Sequence, residues 1–189
     1  MKKAICLIAL SLSLQGCIFV VGAAAGAAAV SAVYDHRKLE QVHHDNRMNN
    51  KVIDAINITP NLKENAHITV TTFNKIVLLT GEATTAEERQ KAEDAAHTAP
   101  DVTKVYNEVT VKGPTSTLSR ASDSWITTKI KTQMLATKGL QSGSIKVVTE
   151  NGAVYLMGMV TRDQADISVN IARQVAGVQK VVKIFQYTD

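Results

Sequence analysis

The amino-acid sequence predicts an α+β protein in which one small unit is built twice, in tandem. Two similar stretches carry this prediction. Residues 145–160 read IKVVTENGAVYLMGMV, and residues 68–83, seventy-seven positions earlier, read ITVTTFNKIVLLTGEA. Apolar and polar residues alternate in both, as in strands with one buried face. Each unit is expected to run helix, strand, strand, helix, strand, with two helices packed on a three-stranded mixed sheet.

A two-residue turn divides each stretch into two strands. The Asn-Gly pair at 151–152 strongly favours a tight hairpin, because a type I′ turn needs positive φ at both central residues. The Asn-Lys pair at 74–75 stands at the same place and is a weaker turn pair. Each hairpin ends at a glycine, Gly81 or Gly158, and a glycine there indicates a bulge or a close approach of two backbones.

Helices are predicted on both sides of each hairpin. The downstream helices have apolar residues at helical spacing, namely Ala92, Ala95, Ala96 and Ala99 in the first unit and Ala165, Val169, Ala172 and Ala176 in the second. The upstream helices are expected at about residues 48–58 and 123–137. Ser122 or Asp123 is expected to cap the latter helix. Its core stripe is predicted at Ile126, Ile130 and Met134.

The last strand of the first unit has a recognisable pattern. It reads V-x-x-V-x-N-x-V, at Val102, Val105, Asn107 and Val109. With the helix-hairpin-helix order and the glycine that closes the hairpin, this pattern resembles the BON domain of bacterial envelope proteins. The second unit departs from the pattern at Lys183, which stands in place of the asparagine.

The N-terminus is predicted to be a lipoprotein signal peptide over residues 1–16. Two lysines precede an apolar core, and the sequence LQGC at 14–17 resembles a bacterial lipobox. The resemblance implies cleavage before Cys17 and attachment of lipid to its sulfur. The alternative is an ordinary signal peptide with an incidental cysteine. By resemblance to lipoprotein sorting, the absence of aspartate at Ile18 implies the periplasmic face of the outer membrane. The family resemblance adds enrichment at the division site.

The remaining chain divides into a tether (17–45), a first BON-like domain (46–112), a linker (113–120) and a second BON-like domain (121–189). Residues 18–33 carry no charge but are fewer than the roughly 20 that a membrane-spanning helix needs. If the signal peptide were not cleaved, residues 4–33 could form one long anchor; the lipobox favours a tether. His36, His43, His44 and Asp45 could supply metal ligands. We expect instead a solvated tether, with no metal and no cofactor.

The sequence contains none of the common catalytic motifs, such as G-x-S-x-G, H-E-x-x-H or a glycine-rich phosphate loop. The carboxylates of the first domain's second helix lie among basic residues, which is typical of a solvated helix face. We therefore expect a protein that is not an enzyme.

Charge separates the two domains. Residues 46–112 hold eight basic and nine acidic residues, whereas residues 121–189 hold eight and five. A basic excess suits an anionic partner, and the export signal argues against nucleic acid. On the first helix of the second domain, Trp125 is predicted about 140° from the core stripe. Its neighbours include Thr128, Lys129, Lys131 and Thr132.

Tryptophan and lysine together are typical of a membrane interface, where the indole lies among headgroups and the ammonium meets anionic phosphates. These five residues are the predicted phospholipid-binding site. Met48 and Val52 are taken as the matching residues of the first domain. The alternative is that Trp125 packs against the first domain or the linker.

Two BON-like units behind a lipobox resemble the dual BON-domain outer-membrane lipoproteins. The resemblance implies support of outer-membrane integrity, and the residues predict binding of anionic phospholipid, such as phosphatidylglycerol or cardiolipin, by the second domain. The other hypothesis is a protein-interaction module. In that case the two sheets would dock an envelope partner such as the β-barrel assembly machinery, and the lipid would serve only as a tether.

Overall fold

A computed structural model describes residues 39–60, 62–113 and 117–189. The first repeat contains α1 (Leu39–Ile58), one helical turn (Leu62–Asn65), β1 (His67–Phe73), β2 (Ile76–Ala83), α2 (Ala86–Thr98), β3 (Lys104–Asn107) and β4 (Thr110–Val111). The second contains α3 (Thr117–Ala136), a 3₁₀ turn (Ser142–Ser144), β5 (Ile145–Glu150), β6 (Ala153–Val160), α4 (Arg162–Arg173) and β7 (Lys180–Tyr187). The predicted fold class and tandem arrangement are confirmed. The predicted signal peptide, Cys17 and His36 lie outside the described residues.

Both sheets are mixed and have the second hairpin strand at their centre. β2 pairs antiparallel with β1 and parallel with β3 and β4, and β6 pairs antiparallel with β5 and parallel with β7. The last strand of the first repeat is interrupted at Asn107. The amide of Asn107 donates to the Arg89 carbonyl at 2.9 Å, and its side-chain oxygen accepts from the Val109 N–H at 3.3 Å. In the second repeat Lys183 takes this place and β7 runs unbroken.

An aspartate from the first helix of each repeat holds the hairpin turn. The backbone N–H of Asn74 donates to Asp45 at 2.8 Å, and the N–H groups of Asn151 and Gly152 donate to Asp123 at 2.8 and 2.9 Å. Both turns have positive φ at both central residues, so the weaker pair at 74–75 forms the same turn. The predicted capping by Ser122 or Asp123 is wrong, because both residues lie inside α3 and Asp123 faces the turn.

Both upstream helices begin earlier than predicted. α1 starts at Leu39 instead of about residue 48, and α3 starts at Thr117 instead of about residue 123. The end of the predicted tether and the end of the predicted linker are therefore helical. The first turns of both helices were not predicted because most of their residues are polar, so they show no apolar stripe. A downstream helix also differs, since α4 ends at Arg173 and Ala176 is exposed.

The two aspartates also fix which residues of the first helices correspond. Asp45 and Asp123 are 78 positions apart, whereas the turns that they hold are 77 apart. Met48 therefore corresponds to Ile126, and both are buried. The predicted match of Met48 to Trp125 is wrong by one residue, because Asp45 precedes Asn74 by 29 residues whereas Asp123 precedes Asn151 by 28. Arg47 is the residue that corresponds to Trp125.

Each repeat has its own aliphatic core between helices and sheet, and the two sheets share a third. Val77 and Leu79 of β2 face the helices. The alternate side chains face the other sheet, in a buried cluster of Phe73, Ile76, Leu78, Tyr155, Met157 and Ile184. Burial on both faces explains why β2 and β6 are almost continuously apolar. The two helical layers consequently lie on opposite outer sides of the paired sheets.

The sheets meet with approximate twofold symmetry. The side-chain amide of Asn151 donates to Glu82 at 3.0 Å, and that of Asn74 lies 3.3 Å from the Met159 sulfur, the corresponding residue. The symmetry does not extend to charge, because only the Glu82 end brings carboxylates together. Burial, followed by the charges of Glu82 and Asp123, raises the pKa of Glu150 above its ordinary value.

The raised pKa of Glu150 predicts that the contribution of this one carboxyl to stability falls with rising pH. A carboxyl whose pKa is raised by folding binds its proton more tightly in the folded protein. Its contribution is therefore full below the unfolded pKa of about 4.3 and is lost as pH rises through the folded value. Glu150→Gln keeps an acceptor for the Asn151 amide, 3.2 Å away. We expect its melting temperature at pH 7 to exceed that of wild type by about 2 °C. The difference should shrink near pH 4, and a constant difference in thermal scans at both pH values would contradict the assignment.

Candidate membrane-binding site

The candidate site lies on the outer face of α3. Ile126, Ile130 and Met134 are at most 1% exposed and pack in the core of the second repeat, as their spacing predicted. Trp125 is 53% exposed. The helix thus divides into a buried apolar side and an outer side that carries a large aromatic ring.

The polar residues of the predicted site are exposed as well. Thr128 and Thr132 donate their hydroxyl hydrogens to the carbonyls one turn earlier, those of Ser124 and Thr128, both at 2.9 Å. Their oxygens are left as hydrogen-bond acceptors toward solvent. Within the described part of the chain, no carboxylate lies within ion-pair distance of Lys129 or Lys131. Both ammonium groups are therefore available to an external anion.

Helical geometry places these residues unequally around Trp125. At about 100° per residue, Thr128, Lys129 and Thr132 fall within about 60° of the indole, whereas Lys131 lies about 120° away. Lys131 is thus at the flank of the surface that the other four share. We define the α3 surface by Trp125, Thr128, Lys129, Lys131 and Thr132.

One residue of this neighbourhood was missed from the sequence. Leu135 is 49% exposed on the last turn of α3. It lies about 80° from Trp125 around the helix axis, so it widens the apolar part of the outer face. Its sequence signal is weak, because a leucine directly after Met134 resembles a second core residue. Only the exact angular position of Leu135 around the helix axis distinguishes an exposed leucine from a second core residue.

The first repeat lacks this chemistry at the corresponding positions. With the 78-residue correspondence, Arg47 stands in place of Trp125, Lys51 in place of Lys129, and Asp54 in place of Thr132. Among residues 40–58 of α1, whose burial is described, the one exposed large apolar residue is Ile58, at the C-terminal end. The aromatic surface is therefore a property of the second repeat and is not required by the fold.

A metal site and a membrane-spanning helix are the other two features that the sequence raised. Among the residues that the structure describes, no group of three or more histidine, cysteine, aspartate or glutamate side chains could hold a metal ion. His44 instead pairs with Asp101, with 3.3 Å between Nε2 and Oδ2. In the same part of the chain, no helix combines the length and apolar character needed to cross a bilayer.

Comparison with known families agrees with the duplicated architecture. Residues 44–113 and 122–189 each match the BON domain. The chain belongs to the BON-domain family. Its two BON domains coincide with the two repeats described above, and the first match begins inside α1.

Named relatives narrow the type of BON protein. The chain is 33% identical over 189 residues to "Outer membrane lipoprotein DolP" of Haemophilus influenzae, covering all of this chain and 97% of the relative. It is 41% identical over 128 residues to "21 kDa hemolysin" of Actinobacillus pleuropneumoniae, covering 68% and 66%. It is 31% identical over 140 residues to "Osmotically-inducible protein Y" of Escherichia coli, covering 72% and 69%.

The full-length similarity makes this chain a dual BON-domain protein of the DolP type. It is an outer-membrane lipoprotein with BON domains. The same findings point to an envelope protein that is not an enzyme.

Proposed function

We propose that this BON protein binds anionic phospholipid through the α3 surface and so supports the integrity of the outer membrane from its periplasmic face. The observation that carries the proposal is the 53% exposure of Trp125. An exposed tryptophan beside Lys129, with Lys131 at the flank and no carboxylate among the described residues within ion-pair distance of either lysine, has the composition of a membrane-interface site. The first BON domain, with the same fold, has no such residue.

Both parts of the surface contribute to binding. The indole can leave water for the headgroup layer, which is favourable for its apolar area. Lys129 and Lys131 each gain about 1 kcal/mol near an anionic surface, and this gain is screened by salt. Such energies give weak, reversible binding, which suits a domain that a lipid chain already holds near the membrane.

The proposal is tested with a fragment that lacks the anchor, residues 37–189, which form a compact unit. A fragment beginning at residue 46 would remove Asp45 and its bonds to the first hairpin turn. We expect residues 37–189 to sediment with vesicles of phosphatidylglycerol or cardiolipin, less so at high salt, and not with neutral vesicles. Equal binding to neutral vesicles would contradict the role of the lysines. No binding to either would favour docking on an envelope protein, such as the β-barrel assembly machinery.

We further propose that Cys17 carries the lipid anchor. Acyl chains contribute about 0.8 kcal/mol for each buried CH₂ group, so they dominate retention at the membrane. Cys17→Ser is expected to leave the protein unlipidated, either uncleaved or soluble. Fractionation of the variant with the outer membrane at the wild-type level would contradict this role, and intact mass gives the state of the N-terminus directly.

A further inference from the structure

The fold forms the same groove twice, once in each BON domain. Each groove lies between the N-terminal half of the first helix and the turn after the second helix. Their volumes are about 330 and 340 Å³. The turns correspond, since Asp101 in the first domain and Gly177 in the second both have positive φ. The position therefore follows from the fold, whereas the lining differs between the domains.

In the first domain three of the six lining residues of the groove carry side-chain nitrogens. His44, Arg47 and Lys51 project from α1 at spacings of three and four residues, which places them on one face of the helix. Pro100 and Asp101 form the opposite wall. In the second domain Ser122 lines the groove in place of His44, and Trp125, which corresponds to Arg47, is not part of the lining, so the helical wall loses those nitrogens.

The two strong cations of this groove are not engaged within the protein. Among the described residues, no carboxylate lies within ion-pair distance of Arg47 or Lys51. The one acidic residue of the lining, Asp101, lies 3.3 Å from His44 Nε2 and can accept its hydrogen. A guanidinium presents a planar fork of donors that matches phosphate oxygens, and an ammonium adds a point charge.

We propose that this groove, here called the α1 groove, binds a phosphate ester, and that the protein has a second anion site distinct from the α3 surface. The α1 groove has no exposed aromatic residue, because Arg47 replaces the tryptophan. It therefore suits a polar phosphate group. The two sites lie on opposite helical layers, separated by two sheets that pack about 10 Å apart. That separation exceeds the Debye length of about 8 Å at physiological salt, so each site can be tested independently.

The test uses the full chain in nonionic detergent and sn-glycerol 3-phosphate as the probe. Binding is followed by the chemical shifts of the α1 backbone amides. We expect a saturable shift that weakens about tenfold in Arg47→Gln and in Lys51→Gln, since each loses a charge-assisted bond. The control is Lys138→Gln, because Lys138 is exposed and belongs to neither surface, and it should leave the titration unchanged.

A second arm identifies the source of the phosphate. Phosphatidylglycerol is incorporated into the detergent micelles with Trp125→Glu and with Trp125→Glu plus Arg47→Gln, so that the α3 surface is disabled in both. Shifts that need phosphatidylglycerol and Arg47 support a lipid headgroup as the source. Shifts with the free ester support a soluble phosphate. The proposal is overturned if neither probe gives a saturable shift, or if Arg47→Gln and Lys51→Gln respond as wild type does. Those results would leave the α3 surface proposal standing, because it is tested on another domain.

Discussion

Gly81→Val is expected to unfold the first BON domain. A Cβ atom at Gly81 would lie 2.0 Å from the carbonyl oxygen of His67, on the neighbouring strand of the hairpin. Gly81 also has a φ of +111°, which residues with a branched side chain rarely adopt. β2 is the central strand, so moving it away from β1 would break the sheet. We expect a loss of at least about 4 kcal/mol in the free energy of unfolding.

The measurement is chemical denaturation of residues 37–189 followed by circular dichroism. Gly113→Val is the matched control, because a Cβ atom at Gly113 meets nothing within 4 Å. Gly158→Val should also destabilise, since its Cβ would lie 2.6 Å from the Ser144 carbonyl oxygen, but less than Gly81→Val because its φ is not positive. A Gly81→Val variant as stable as the Gly113→Val control would show that the close approach is not a constraint.

Much of the fold could be predicted because local chemistry and tertiary structure agree. The alternation of residues 145–160, the turn pair at 151–152 and the glycine at 158 all point to one hairpin, and a second copy supports the same interpretation. The core stripe of α3 was predictable for a similar reason. Ile126, Ile130 and Met134 repeat every four residues, so their burial follows from helical geometry.

The parts that escaped prediction depend on distant partners. Asp123 looked like a helix cap because aspartate favours that position, but its acceptors are used by a turn 28 residues away. The start of α1 was not predicted because it lacks an apolar stripe. Among residues 40–47, Asp45 alone is buried, and the other residues are exposed or partly exposed. The sheet-to-sheet cluster could not be predicted, because Ile76 and Leu78 alternate with residues of the domain core. The apolar sequence of the strand does not show which face packs on the helices and which packs on the other sheet.

The correspondence between the first helices of the two domains could not be predicted either, and it decides which variant can serve as a control. An ungapped comparison pairs Met48 with Trp125, but a one-residue difference in the spacing from first helix to hairpin turn shifts the pairing to Arg47. Met48 is 2% exposed, so Met48→Glu would bury a charge and unfold the domain. It is therefore unsuitable as a control for surface binding. Arg47→Glu changes charge at the position that corresponds to Trp125.

Trp125→Glu is expected to abolish binding of residues 37–189 to phosphatidylglycerol vesicles while leaving the fold intact. Trp125 lies off the core stripe, so a glutamate there can stay in water. The variant loses the indole's apolar contact with the headgroup layer, which we estimate at roughly 2 kcal/mol if about 100 Å² is buried. It also places a negative charge beside anionic lipid, at a cost of about 1 kcal/mol. Together these terms weaken binding by roughly a hundredfold.

Arg47→Glu is the control that separates a local surface from general electrostatics. It changes the net charge more than Trp125→Glu does, but on the opposite helical layer, beyond the range of unscreened attraction at 0.15 M salt. If the α3 surface binds the membrane, Arg47→Glu should sediment with vesicles almost as wild type does. Equal loss in both variants would indicate nonspecific attraction if Arg47→Gln leaves the α1 amide shifts unchanged, and a headgroup in the α1 groove if it removes them. A folded Trp125→Glu variant that still binds as well as wild type would remove the α3 surface from the mechanism, and docking on an envelope protein would then be the better explanation.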